Sequence, residues 1–492
     1  MGLLIALAAL VPAAAQAQPE DDAGVAAPPS ELVEPDPEPE PHPLEARLLE
    51  LEARDRAREQ ELVEARARLE RLEAAEAEAE AAAVEAEAEP SNDPTVRPLA
   101  SMFTRFEHRE GYAAIGAGNP GCFSGPADSD CLRYRARVGL DIGDLRVADE
   151  LVAGVRFQPQ VAGFWSFGGT SGGVFHPTLA LYEGALTLSI ADAARLEIGR
   201  VVLNYGDERV IGALGWHPAA RSFDGARVRV QPDEGGYWID FFWTMLQEGG
   251  PGDFGHGDTY FYGVYASLGP ALGPGVALDA YALGLQANDG TDPATGAQVS
   301  WSLLVHLGGR FRHRVDVIDL RVEAGLQVGR LGAAMGFDAT PIVAGHVDGE
   351  VGVNLLDDRL RFGVQGFFAS GDDPTTDEFE GYQQLFPTGH AFLGLTDVMG
   401  ARSNAAGGSV NVMGKPLPQL RLSLDWHVFV RPEAGVFDNY AGTEGDLNVL
   451  WLPGSGFRIR AMYGVFIPNA GLFGPSPDPV HYVEVELGYE LN

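Results

Sequence analysis

The sequence predicts an all-β membrane protein: an antiparallel outer-membrane β-barrel of about eighteen strands behind a signal peptide and an α-helical coiled-coil extension. Three observations carry the prediction. From Leu99 to the C-terminus, segments alternate with period two, with arginines on one face and large apolar or aromatic residues on the other. Short turns and long loops take turns between these segments. No run reaches the roughly 18 consecutive apolar residues of a transmembrane helix, so strands must make the crossing.

In chain order, Met1 to Val11 is apolar and is followed by Ala15-Gln16-Ala17, a cleavage pattern that makes residues 1–17 a signal peptide lacking its usual basic start. Residues 18–43 are rich in proline and acid and read as an extended linker. Residues 44–89 hold no Gly or Pro and have helix-forming composition. Leu44, Leu48, Leu51, Leu62, Ala65, Leu69, Leu72, Ala79, Ala83 and Ala86 fit steps of four and three, with Asp55, Arg58 and Glu76 on the same seam. Two readings fit: a coiled coil, hence a homo-oligomer with its arm in the periplasm, or a single solvated helix. Residues 90–98 break the helix, and 99–492 form the barrel.

The clearest strands are Arg195–Tyr205, Phe223–Gln231 and Tyr237–Trp243, the last with Tyr237, Ile239, Phe241 and Trp243 on one face. Leu132–Leu140 carries Arg133, Arg135 and Arg137 on one face and ends at a turn near Asp144. Further short turns fall at Asp192–Ala194, Pro232–Gly236, Pro270–Pro274, Asp316–Asp319, Asp357–Asp358, Lys415–Pro418 and Pro453–Gly456. The long loops are Asn119–Cys131, Gly206–Ser222, Gly249–Asp258, Asn288–Ala297, Gly371–Met399 and Pro468–Pro479. The closing strand sets His481, Val483, Val485, Leu487 and Tyr489 against Glu484, Glu486 and Glu490, and the chain ends in Asn492 where many such barrels end in an aromatic.

The net charge is −36. About 8 basic and 24 acidic residues precede Leu99, leaving about 26 and 46 for the barrel. That balance excludes nucleic acid as a partner, because phosphate contacts need basic surface. The two cysteines, Cys122 and Cys131, lie close together in one loop and predict a disulfide in an exported chain. No metal is expected, since no histidine stands near the cysteines to complete a site. Histidines are scattered, and neither G-x-S-x-G nor H-E-x-x-H occurs, so neither an enzyme nor a cofactor is expected.

Function is read from the arginines. Arg133, Arg135, Arg137, Arg227, Arg229, Arg310, Arg312, Arg314, Arg359, Arg361, Arg458 and Arg460 recur at alternate positions opposite apolar residues. On the lipid face an arginine costs roughly 2–4 kcal/mol at the midplane, so this face points to the lumen. Guanidinium stays charged and binds carboxylates in pairs of hydrogen bonds. Two readings remain: an anion path, or a structural ladder balanced by Asp and Glu across the lumen.

Two stretches resemble the alginate export family of outer-membrane barrels. One is Leu196–Arg229, with IGRVVLNYGDERVIGAL, Trp216 and RSFDGARV; the other is Tyr382–Asn404, YQQLFPTGHAFLGLTDVMGARSN. The strand bearing Arg133–Arg137 and the segment Asp258–Leu268 fit the same pattern, and the likeness runs from Leu99 to Asn492. The resemblance implies a monomeric barrel whose arginine-rich constriction passes an anionic uronate polymer. It puts Arg200, Arg209, Arg221 and Arg227 at charged positions of the motif, with Asp207, Glu208 and Asp224 as salt-bridge partners. Simple alternation, however, sets Arg200 beside Leu196 and Ile198 on the lipid face unless a bulge intervenes. The helical extension departs from the family and is met in trimeric porins, so a general or phosphate-type trimeric porin for small anions is one rival. A plugged structural or adhesive barrel is the other.

Overall fold

A computed structural model describes residues 94–491, apart from 113–128, 168–176, 192, 232–235, 250–254, 256, 270–271, 274, 292–297, 334–338 and 436–437. The expected signal peptide, linker and coiled-coil helix of residues 1–89 lie outside the described residues. So does Cys122, whereas Cys131 is buried and disulfide-bonded.

Eighteen strands form one sheet. They are β1 (Thr95–Glu110), β2 (Ser129–Ala148), β3 (Leu151–Ser166), β4 (Thr178–Ile190), β5 (Ala194–Val201), β6 (Phe223–Val230), β7 (Trp238–Gln247), β8 (Thr259–Ser267) and β9 (Val276–Ala287), then β12 (Ser302–Val315), β13 (Ile318–Leu331), β14 (Thr340–Leu355), β15 (Leu360–Ala369), β16 (Ala405–Leu417), β17 (Leu420–Val430), β18 (Tyr440–Gly454), β19 (Phe457–Pro468) and β20 (Val480–Glu490). A two-residue hairpin, β10 (Gly290–Thr291) and β11 (Gln298–Val299), stands apart in the loop after β9. Each barrel strand pairs antiparallel with its neighbours in the chain, β9 pairs with β12, and β20 closes on β1 with Ser101 opposite Glu490 and Glu110 opposite His481. Closure removes every free sheet edge at the seam, which hydrocarbon requires.

The pleat sorts the side chains as expected. Val138, Leu140, Phe157, Leu186, Phe241, Trp243 and Leu326 are exposed on the outer face. Arg133, Arg135, Asp240, His306 and Glu484 are buried on the inner one. The short turns share one rim with the two ends of the barrel chain, and the long loops share the other. The turn expected near Asp144 is instead a bulge: β2 runs on to Ala148, and Asp144, at φ 59°, absorbs a register shift against β3. Arg195–Tyr205 is cut short, because pairing ends at Val201 and the chain turns into the lumen.

Candidate functional site

Two long segments, 202–222 and 370–404, fold into the lumen and pair with each other. Phe386 N–H donates to Val210 C=O (3.0 Å), Gly212 N–H to Phe386 C=O (2.8 Å), and Thr388 N–H to Glu208 C=O (2.9 Å). Apolar side chains hold them there. Leu203, Tyr205, Val210 and Ile211 pack on Phe223, Phe242, Phe261 and Tyr265, which face inward from β6–β8. The lumen face of these strands is therefore aromatic as well as charged. At Gly206 (φ 58°) the backbone passes so close to the wall that a Cβ would lie 3.0 Å from Tyr265 Oη and 3.1 Å from Arg310 Nε.

The arginine rows divide by location. On β5–β7 and β12–β15 they form a ladder with carboxylates. Arg227 bonds Glu197 (Nε, 2.7 Å), Arg229 bonds Asp240 (2.7 Å), and Arg310 bonds both Asp279 and Asp207 at 2.7 Å. Arg361 bonds Asp319 (2.6 Å) and Glu350 (2.8 Å), and Arg314 pairs with Asp358 at the turn rim. Arg458 (2.9 Å) and Arg460 (3.5 Å) share Glu486 on the neighbouring strand β20. Arg133 is held by Glu107 at 3.0 Å.

On β2 the pattern changes. Arg135 donates to the carbonyl of Gly215 (2.9 Å) and lies 4.6 Å from the Phe103 ring centroid. Arg137 donates to Gln160 Oε1 (2.8 Å) and lies over Tyr182. Neither makes an ion pair among the described residues, and neither does Arg312, which lines a cavity of about 340 Å³ with Arg209, Arg321, Arg361, Asp207 and Glu350.

The motif residues have three fates. Arg209, on the in-folded segment, bonds Asp348 (3.1 Å) and Gln365 (3.3 Å), and its guanidinium covers the Phe392 ring. Arg221 Nη1 donates to the carbonyls of Gly212, Phe386 and Pro387 and so clasps the two in-folded segments together. Arg200 stands on the outer parity of β5 with no bulge to redirect it; its Nε donates to Ser222 Oγ (3.0 Å), and Asp224 lies at 3.7 Å. Among the expected partners, Asp207 bridges Arg310 and Arg321, whereas Glu208 accepts from the Thr388 hydroxyl and pairs with no arginine among the described residues.

Several residues of the site were not singled out from sequence. Arg105 and Arg109 of β1 are fully buried beside Glu107, Glu484, Glu486 and Asp397. Trp216, at the tip of segment 202–222, donates to Glu484 (3.0 Å), stacks on His390 (4.0 Å) and lies under Arg105 (4.3 Å). Arg402 joins Arg209 on Asp348. Burial first, and neighbouring guanidinium groups second, push Arg209 and Arg402 down to about 9. Burial, with Arg133 and Arg105 adding to it, pushes His217 down to about 4. The alternation of Arg105, Glu107 and Arg109 was readable; the pairing of the two loops was not.

The family model for alginate export matches residues 179–447, more than half of the chain. No curated protein matches it. Among solved structures, OccK5 (OpdH) of Pseudomonas aeruginosa is 11% identical with a TM-score of 0.53, over 80% of this chain and 98% of that one. OccK1 (OpdK) of the same organism is 12% identical with a TM-score of 0.53, over the same shares. A further structure with the same four values is that of OpdK with vanillate. These likenesses carry the fold of the barrel.

Proposed function

We propose that this chain, which belongs to the alginate export family and is a bacterial outer-membrane channel, passes anionic carbohydrate of the polyuronate kind, or other anionic solutes, along an arginine-lined lumen. The observation that carries the reading is the pair Arg135 and Arg137. They are adjacent cations on the lumen-facing side of β2 that make no ion pair among the described residues. A solute carboxylate offers them the bidentate partner that the wall withholds. Across the lumen Arg312 lines a second cavity and likewise makes no ion pair among the described residues, while Arg321 beside it is held by Asp207 and Glu350. The ladder on β5–β7 and β12–β15 is structural and leaves the selectivity to these two patches.

The test is reversal potential across a salt gradient in planar bilayers, with and without polyuronate. Wild type is expected to be anion-selective and blocked by the polymer, and Arg135→Gln/Arg137→Gln to lose at least half of the anion preference. A cation-selective wild-type pore would overturn the reading. One observation favours a second: the two in-folded segments are clasped by Arg221 and tied to the wall at Asp348, as a plugged structural barrel would have it. That reading predicts no conductance.

A further inference from the structure

The barrel wall is notched on one side. β4 pairs with β5 from Gly184, opposite Arg200, to Ile190, opposite Ala194. Residues Thr178–Glu183 of β4 keep β3 on one flank but, among the described residues, have no hydrogen-bonded strand on the other. The cause is the inward turn of segment 202–222, which takes the chain out of the wall after Val201 and returns it at Phe223.

The register gives the depth of the notch. Gly184 lies opposite Phe157 of β3, about eight residues below Trp165, or about 20 Å of height at a tilt of about 40°. Trp165 and Phe167 stack on each other at 5.8 Å, and both are exposed on the outer surface, as in an interfacial aromatic girdle. Val161 and Leu179, opposite each other between those levels, are exposed outward. The unpaired flank of β4 therefore descends from the outer girdle past the middle of an apolar band about 25 Å tall, where hydrocarbon tolerates no open strand edge unless something covers it.

Arg200 sits at the foot of the notch on the lipid-facing parity, a position that disfavours charge. Its contacts are Ser222 Oγ at 3.0 Å and Asp224 at 3.7 Å, and Asp224 is itself 61% exposed. A cavity of about 430 Å³ crosses the wall here. Arg133, Gln160 and Tyr182 line it from the lumen side, and Leu181 and Arg200 from the outer side.

We propose that this notch is a lateral binding site for a single-chain amphiphile with an anionic head group. The head sits at Arg200, below the His217–Ser222 segment, and the chain follows Leu181 and Leu179 into the outer leaflet. Charge complementarity selects the head, because Arg200 has one loosely held acid beside it. The outward leucines and the depth of the gap select the chain.

The test uses the full chain in lipid vesicles with two probes: palmitate bearing a mid-chain diazirine, and the matching diazirine alcohol. The acid probe is expected to label peptides carrying Phe164 and Thr178–Leu181. Arg200→Ala should cut that labelling about fivefold, Asp224→Asn should raise it, and the alcohol should label weakly in all three proteins. Displacement by laurate identifies a free fatty acid as the occupant, and displacement by lipid A alone would overturn the single-chain assignment. Even labelling around the whole belt, Phe241 and Phe362 included, would sink the proposal, as would labelling that ignores both substitutions. Anion conductance should be unchanged in Arg200→Ala, which separates this inference from the lumen reading.

Discussion

Asp348→Asn is the sharpest probe of how the lumen is organised. Asp348, on β14, is fully buried and accepts from Arg209 at 3.1 Å and from Arg402, with His346 Nδ1 at 3.3 Å. Arg209 belongs to segment 202–222 and Arg402 to segment 370–404, so one carboxylate ties both in-folded segments to the wall. Asparagine keeps the shape and removes the charge, leaving two guanidinium groups crowded against each other in a buried site. Breaking a buried pair in this way costs about 3–5 kcal/mol. The cost falls on docking of the segments, because the eighteen strand ladders are untouched. At about 4 kcal/mol the undocked population rises about a thousandfold. The assay is amide hydrogen exchange followed by mass spectrometry on peptides from Gly206–Ser222 and Gly371–Asn404, with single-channel conductance beside it. Exchange should accelerate in both segments together and stay unchanged in β1–β3, and conductance should rise and become noisier. If exchange in the variant stays within about threefold of wild type, Asp348 is not the tie and the reasoning fails.

Two other outcomes follow from the same geometry. Docked, His217 takes no proton until about pH 4, whereas a free histidine takes one near pH 6.5. The undocked segment binds more protons in between, so docking is fully supported above about pH 6.5 and weakens as pH falls toward 4. Exchange of Gly206–Ser222 should therefore quicken from pH 7 to pH 5, once corrected for the intrinsic pH effect, and His217→Gln should flatten that dependence. Trp216→Phe keeps a ring against His390 but removes the donor to Glu484, which is fully buried. The loss of about 1–3 kcal/mol should raise exchange of the same segment about tenfold, measured against an unchanged barrel melting temperature.

The barrel was legible because the bilayer imposes a rule that can be read locally. A strand with lipid on one side must alternate, and Arg133–Arg137 against Leu132, Tyr134 and Val138 shows it within a few residues. Rim assignment was legible for the same reason, since turns and loops differ in length. Boundaries were less so. β2 runs past Asp144 because a bulge and a turn both favour a residue that tolerates positive φ, and β5 stops at Val201 although the sequence keeps alternating through Tyr205. Arg200 is instructive in the other direction: plain alternation put it on the lipid side, and the register agrees.

By itself, then, the sequence determined that this is an outer-membrane barrel with arginines turned inward, because period-two burial is a property of each strand alone. Only the tertiary structure decided which arginines are spent. Arg221 closes a clasp across 165 residues of chain, Arg209 and Arg402 meet on one carboxylate, and Arg135 and Arg137 are left without one among the described residues. A guanidinium reads the same in sequence whether it faces a carboxylate, a carbonyl or an open lumen. The difference is made by which distant strand or loop folding brings within about 3 Å.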